Sequence, residues 1–136
     1  MQRLVEMKFE DKLEIQELTS RYANAMDDTD LESWMATWDA NGLWKGGLGE
    51  FQGADKLREL FAALGERIKN RRHVMTNFVI EGDGVRAEQR CYMLVFDRVS
   101  EARLIASGVY NDRLIKTGGA WKFLERQVAL DPSFRP

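Results

Sequence analysis

The chain has 136 residues, with 20 basic against 22 acidic side chains and a net charge of −2. That length suits one domain around one hydrophobic core, expected to span 1–136 with its core at about 9–130, and needs no cross-links. The near balance of charge excludes a dedicated nucleic-acid binder, the lone Cys91 excludes an internal disulfide, and no run approaches the ~20 apolar residues of a membrane span. The charged start MQRLVEMKFEDK lacks the apolar run of a secretory signal, so the expected location is cytoplasmic.

In chain order, Phe9 to Met26 reads as a helix with Ile15, Leu18, Tyr22, Ala25 and Met26 on one face. Thr29 and Glu32 read as a capping box for a second helix carrying Trp34, Met35 and Trp38. Two short extended runs, around Leu43–Lys45 and Glu50–Gln52, flank the glycines of Gly46–Gly49. A third helix, with Asp55 as its N-cap, carries Leu57, Leu60, Phe61, Leu64 and Ile68. It ends in a basic cluster, Arg67, Lys69, Arg71 and Arg72, that reads as a solvated terminus offsetting the helix dipole.

From His73 the period becomes two. His73–Glu81, Val85–Val99, Leu104–Lys116 and Trp121–Ala129 read as four strands, with hairpin chemistry at Gly82-Asp83-Gly84 and Thr117-Gly118-Gly119. Consecutive hairpins imply an α+β fold: a strongly curved antiparallel sheet with three helices on one face.

The aromatic and methionine load is heavy: four Trp, seven Phe, three Tyr and six Met. Core packing absorbs such a load, and so does a cavity built for a flat apolar ligand. His73 is the single histidine and the one side chain whose ordinary pKa suits acid–base work near neutrality. Alternation puts it on a face with Met75 and Asn77, opposite Val74, Thr76, Phe78 and Ile80. Asp27 and Asp28 stand at a helix C-terminus, where a carboxylate is unfavourable. Tyr22 sits on the buried stripe, but five residues of ideal helix turn it about 140° from Asp27, so a shared site requires the helix to loosen near Ala25–Met26. Arg126 alternates away from Trp121 and Phe123 unless a bulge intervenes. No metal is expected: one His and one Cys cannot form a standard zinc site, and Asp28-Thr29-Asp30 lacks the glycine and terminal Glu of a calcium loop.

From about Asp11 to Leu130 the chain resembles the SnoaL-like branch of the nuclear transport factor two superfamily. The resemblance is carried by Ile15-x-x-Leu18-x-x-x-Tyr22-x-x-x-x-Asp27, Trp34 to Asp39, Gly53-Ala54-Asp55, Arg72-His73-x-x-x-Asn77, Tyr110-x-Asp112-Arg113-Leu114 and Trp121-x-Phe123-x-x-Arg126. It implies a cone-shaped, cystatin-like α+β barrel: a curved antiparallel sheet wrapped around three helices, with an apolar pocket at the open end. Within the superfamily the chain is similar to scytalone dehydratase, hexachlorocyclohexane dehydrochlorinase and the bile-acid dehydratases. The second histidine of scytalone dehydratase has no counterpart here, and Leu43-Trp44-Lys45 stands where ketosteroid isomerase places its base.

The resemblance implies a cofactor-independent, dehydratase-like lyase acting on a small hydrophobic cyclic molecule. His73 would be the base, Asp27 its orienting partner, Tyr22 a hydrogen-bond donor and Arg126 a charge stabiliser. Trp44, Phe51, Phe61, Met75, Asn77 and Tyr110 are the expected substrate-binding side chains. Self-association as a dimer or trimer is expected, with Arg90, Tyr92, Leu94 and Phe96 as a candidate surface. The competing expectations are a non-catalytic binding module using the same pocket and a mainly oligomeric scaffold.

Overall fold

The computed structural model describes residues 7–135. Helix α1 (Phe9–Asp27) places Glu10 and Asp11 in its first turn, where negative charge offsets the helix dipole. Its buried stripe is Ile15, Leu18, Tyr22 and Met26. The chain leaves α1 through Thr29, whose φ of 52° is left-handed. Helix α2 (Leu31–Met35) is therefore capped by Asp30 rather than Thr29. Asp30 Oδ1 accepts the Ser33 N–H at 3.1 Å, and Oδ2 accepts the Ser33 hydroxyl at 2.6 Å. Glu32, expected to complete a capping box, instead pairs with Arg58 at 2.7 Å. Trp38 lies beyond α2 and opens strand β1 (Trp38–Gly46), which turns back as β2 (Gly49–Gln52).

Helix α3 (Ala54–Ile68) starts two residues earlier than its sequence suggests, because Gly53, at φ 85°, takes the cap position and leaves Asp55 in the first turn. Leu57, Leu60, Phe61 and Ile68 bury its inner face. Four long strands follow: β3 (Arg71–Gly82), β4 (Arg86–Asp97), β5 (Leu104–Thr117) and β6 (Ala120–Leu130), then a short 3₁₀ turn, Pro132–Phe134. Gly118 and Gly119, at φ 60° and 81°, supply the two left-handed residues of a tight turn between β5 and β6.

The six strands form one curved, unclosed sheet in the order β2-β1-β6-β5-β4-β3. The sheet is mixed rather than wholly antiparallel, because β1 pairs in parallel with β6. These strands are far apart in sequence, and a local hydrophobic pattern carries no record of that pairing. The main core lies between the helices and the inner face of the sheet, with Trp34, Trp38, Trp121 and Phe123 at its centre. On the outer face of β4, Arg90 lies over the Tyr92 ring at 5.4 Å, and Leu94 and Phe96 are half-buried. Among the described residues no helix is long and apolar enough to cross a membrane.

Two bulges reset which side chains face inward. In β3 the register with β4 shifts between Thr76 and Val79, and Asn77 takes φ 58°. His73 and Met75 face inward before the bulge, and Phe78 and Ile80 after it, so simple alternation fails halfway along the strand. In β6 the register with β5 shifts between Glu125 and Phe123, leaving Leu124 unpaired. Arg126 is thereby returned to the inner face with Trp121 and Phe123.

One buried polar tie fastens α1 to the β5–β6 hairpin: Asp11 accepts from Trp121 Nε1 at 2.9 Å and from Lys116 Nζ at 3.2 Å. The Trp121 hydrogen bond, helped by Lys116, holds the Asp11 carboxyl below the usual carboxylate range. A lowered folded value means the contribution is present above the unfolded carboxylate range and is lost as pH falls through the folded one. Asp11→Ala is expected to cost about 1–3 kcal/mol near neutrality, because the indole N–H loses its acceptor. In urea unfolding the difference from the wild type should shrink in acid; a gap that is constant across pH would contradict this reading.

Candidate active site

His73 stands at the start of β3, an edge strand, so one side of its backbone is not occupied by a neighbouring strand. Asp27, the last residue of α1, fills that gap. Its Oδ1 and Oδ2 lie 3.1 and 3.0 Å from the His73 main-chain nitrogen, and Oδ1 lies 2.7 Å from the ring Nδ1. An ionised carboxylate can only accept, so Nδ1 donates, and in the neutral imidazole the free lone pair is then on Nε2. Both side chains are nearly sealed from solvent, at 5% and 6% exposure.

α1 continues without loosening to Asp27. Tyr22 and Asp27 thus stay on different sides of the helix, as ideal geometry requires. Tyr22 enters the aromatic core, with Trp34, Phe123 and Tyr110 ring centroids at 5.5, 5.5 and 6.3 Å, while Asp27 faces β3.

His73 borders a cavity of about 570 Å³ between the sheet and the ends of α1 and α3. Tyr22, Met26, Leu64 and Ile68 line its helical side, so Tyr22 and His73 border one cavity although Tyr22 and Asp27 lie on different sides of α1; Met93, Val95, Ile105 and Ala106 line the sheet side; Val128, Leu130 and Phe134 close the C-terminal edge. Of the side chains expected to bind substrate, Trp44 and Tyr110 border this cavity. Phe51 packs edge-on against Trp44 behind it, at 6.0 Å between rings. Phe61 is committed to the core against Trp34 at 5.1 Å. Met75 is half-buried in core packing. Asn77 is exposed at the bulge, its Oδ1 accepting from the Thr76 hydroxyl at 3.0 Å, so it faces away from the cavity. The residues missed from sequence are mainly the β4 and β5 lining, whose alternating apolar pattern is that of any covered strand.

Arg126 is fully buried and does not border the cavity. Its Nε and Nη2 donate to Asp112 at 2.9 and 3.2 Å, and Gln89 Nε2 bridges Asp112 and Thr19 at 2.9 Å each. The guanidinium carbon stacks 3.6 Å from the Tyr110 ring centre and 4.4 Å from that of Tyr22. Burial alone would pull the guanidinium down, but Asp112 and its neighbours carry it up, so it remains charged. Burial pushes the Asp112 carboxyl up against the pull of Arg126; its three donor contacts are those of an ionised carboxylate.

Tyr22 and Tyr110 are both pushed up, chiefly by burial, so each phenol keeps its proton. The Tyr22 hydroxyl is sealed and has no hydrogen-bond partner. The Tyr110 hydroxyl has no hydrogen-bond partner among the described residues, and Tyr110, 3% exposed, stands in the cavity wall. The Cys91 thiol, pushed up to about 11 by burial, is no nucleophile near neutrality.

Removing one partner of a buried ion pair strands the other charge. Arg126→Leu alone is expected to cost roughly 3–5 kcal/mol of stability, whereas the double change with Asp112→Leu should recover most of it. Chemical denaturation of the two single variants and the double variant measures the coupling; additive losses would show that the pair is not interdependent.

Residues 7–127 match the SnoaL-like domain model. No curated protein matches the chain. The chain is similar to a Nostoc punctiforme protein of unknown function with a cystatin-like fold, at 32% identity over 95% of this chain and 97% of that one, with a TM-score of 0.91. A Mycobacterium tuberculosis protein of unknown function is 30% identical over 89% of this chain and 72% of its own, with a TM-score of 0.82. A scytalone dehydratase-like structure from Novosphingobium aromaticivorans, at 20% identity, covers 89% of this chain and 84% of its own with a TM-score of 0.78, a likeness of fold alone. With the family model matched along nearly its whole length, this chain belongs to the SnoaL-like domain family.

Proposed function

We propose that the protein is a cofactor-independent lyase that removes a carbon-bound proton and a neighbouring leaving group from a small hydrophobic cyclic compound. The observation that carries this reading is the His73 imidazole, fixed through Nδ1 by Asp27 at 2.7 Å in the wall of an apolar cavity. Nε2 takes the proton from carbon. The C–H electron pair becomes the second bond of a new alkene, and the leaving group departs with its own electron pair. The Asp27 carboxylate stabilises the imidazolium that forms and keeps its ring in register. Low polarity around the ring strengthens that charge interaction.

The leaving oxygen needs a hydrogen-bond donor and, to depart as water, a proton, which the His73 imidazolium returns so that the base is regenerated. Tyr22 and Arg126 were the expected donors, but Tyr22's hydroxyl is sealed and Arg126 is paired with Asp112 behind the wall. In this mechanism the Tyr110 hydroxyl donates a hydrogen bond to the leaving oxygen and keeps its proton, with Tyr22 and Arg126 holding its ring. The likeness of fold to a scytalone dehydratase-like structure is in keeping with the reaction class.

A panel of cyclic β-hydroxy ketones and halogenated cyclohexanes, each with and without a carboxylate substituent, followed by ultraviolet absorbance of the alkene formed, tests the reading. His73→Ala is expected to lower the rate by about 10²–10⁴-fold, the usual contribution of a general base. Tyr110→Phe should lower kcat by roughly 10²-fold, whereas Tyr22→Phe should act mainly on stability. A His73→Ala protein that keeps near wild-type turnover rejects the mechanism.

A further inference from the structure

The basic cluster after α3 divides in two. Lys69 and Arg72 are exposed and do not border the cavity, whereas Arg67, exposed at its rim, and Arg71, half-buried, both do. Arg71 is held in place because its Nε donates to the main-chain oxygen of Arg67 at 2.9 Å, which leaves its Nη groups uncommitted. Neither guanidinium lies within ion-pair distance of a carboxylate among the described residues. Asp97, paired with Arg71 across β3 and β4, already accepts the Val99 and Ser100 N–H groups at 2.9 and 3.1 Å. Among the described residues no Asp or Glu borders the cavity. The cavity is thus apolar on its walls and positive on one side, and a guanidinium pair matches the geometry of an oxyanion.

From this arrangement we infer that the ligand is amphipathic: an apolar ring system bearing an anionic oxygen group, with the ring against Met93, Val95 and Val128 and the anion at Arg67 and Arg71. This rests on the cavity being the substrate site, as in the lyase reading, and narrows the substrate class to cyclic acids. A neutral cyclic compound would leave both cations without a partner; a ligand carrying a cation would be repelled by them.

Two fluorescent probes of nearly the same shape test it: 1-anilinonaphthalene-8-sulfonate, which is anionic, and N-phenyl-1-naphthylamine, which is neutral. The wild type is expected to bind the sulfonate about tenfold more tightly than the neutral dye, and added salt should erode that preference. The double variant Arg67→Gln/Arg71→Gln should lose the preference and keep its affinity for the neutral dye. The control Lys69→Gln/Arg72→Gln, with the same change in net charge, should retain it. Ala106→Trp, which fills the cavity, should weaken both dyes. Equal affinity for the two dyes, an equal effect of the two double variants, or sulfonate binding unaffected by Ala106→Trp would overturn the proposal. The dyes undergo no turnover. Loss of the anion preference therefore leaves the elimination reading intact, and an inactive protein that keeps it would fail that reading alone.

Discussion

Asp27 accepts both the main-chain N–H and the ring Nδ1–H of His73, and much of the architecture follows from that contact. An edge strand presents backbone donors that must find acceptors. A helix C-terminus is an unfavourable place for a carboxylate unless donors compensate it. Joining the two satisfies both needs, seals the edge of the sheet against α1, and fixes the imidazole in one tautomer. Neither partner is stable in its position without the other, so a structural necessity and a chemical capability reside in the same few atoms.

The two bulges extend this logic. His73 and Ile80 stand an odd number of positions apart, so regular pairing straight through Asn77 would turn one of them to solvent; the bulge presents both to the interior. Regular pairing through Leu124 would likewise turn the guanidinium of Arg126 outward, leaving Asp112 buried without its counter-charge. Each bulge also bends its strand, and a bent sheet can wrap helices at one end while leaving space at the other. The cavity is a consequence of curvature as much as of the side chains that line it.

Much of the fold is legible in the sequence because its signals are local. The stripes of α1 and α3, the period-two strands and the Gly118-Gly119 turn all lie within a few residues of their causes. The parallel pairing of β1 with β6, the early end of α2 at Met35 and the shifts at Asn77 and Leu124 depend on partners elsewhere, so propensity alone misses them. The site divides the same way. His73 and Asp27 stand out by residue type and by resemblance, while the lining from Met93, Val95, Ile105 and Ala106 looks like ordinary core. Inner-face residues of one sheet are alike until the helices cover some and leave others open. Phe61 falls on the covered side and Tyr110 on the open one.

Charge is distributed along the cavity in a way that separates rigidity from recognition. Behind the wall, Arg126 and Asp112 cancel one another, and the guanidinium clamps Tyr110 and Tyr22 from behind. A cancelled pair adds little field to the cavity but fixes two large rings, because moving either would break stacking and buried hydrogen bonds together. At Arg67 and Arg71 no carboxylate among the described residues lies within ion-pair distance. A molecule entering therefore meets a field from that side and firm apolar walls elsewhere, which admits one orientation in preference to its reverse. An elimination base needs that constraint: Nε2 of His73 is a single lone pair in a fixed place, and only a ligand held one way round brings the correct carbon to it.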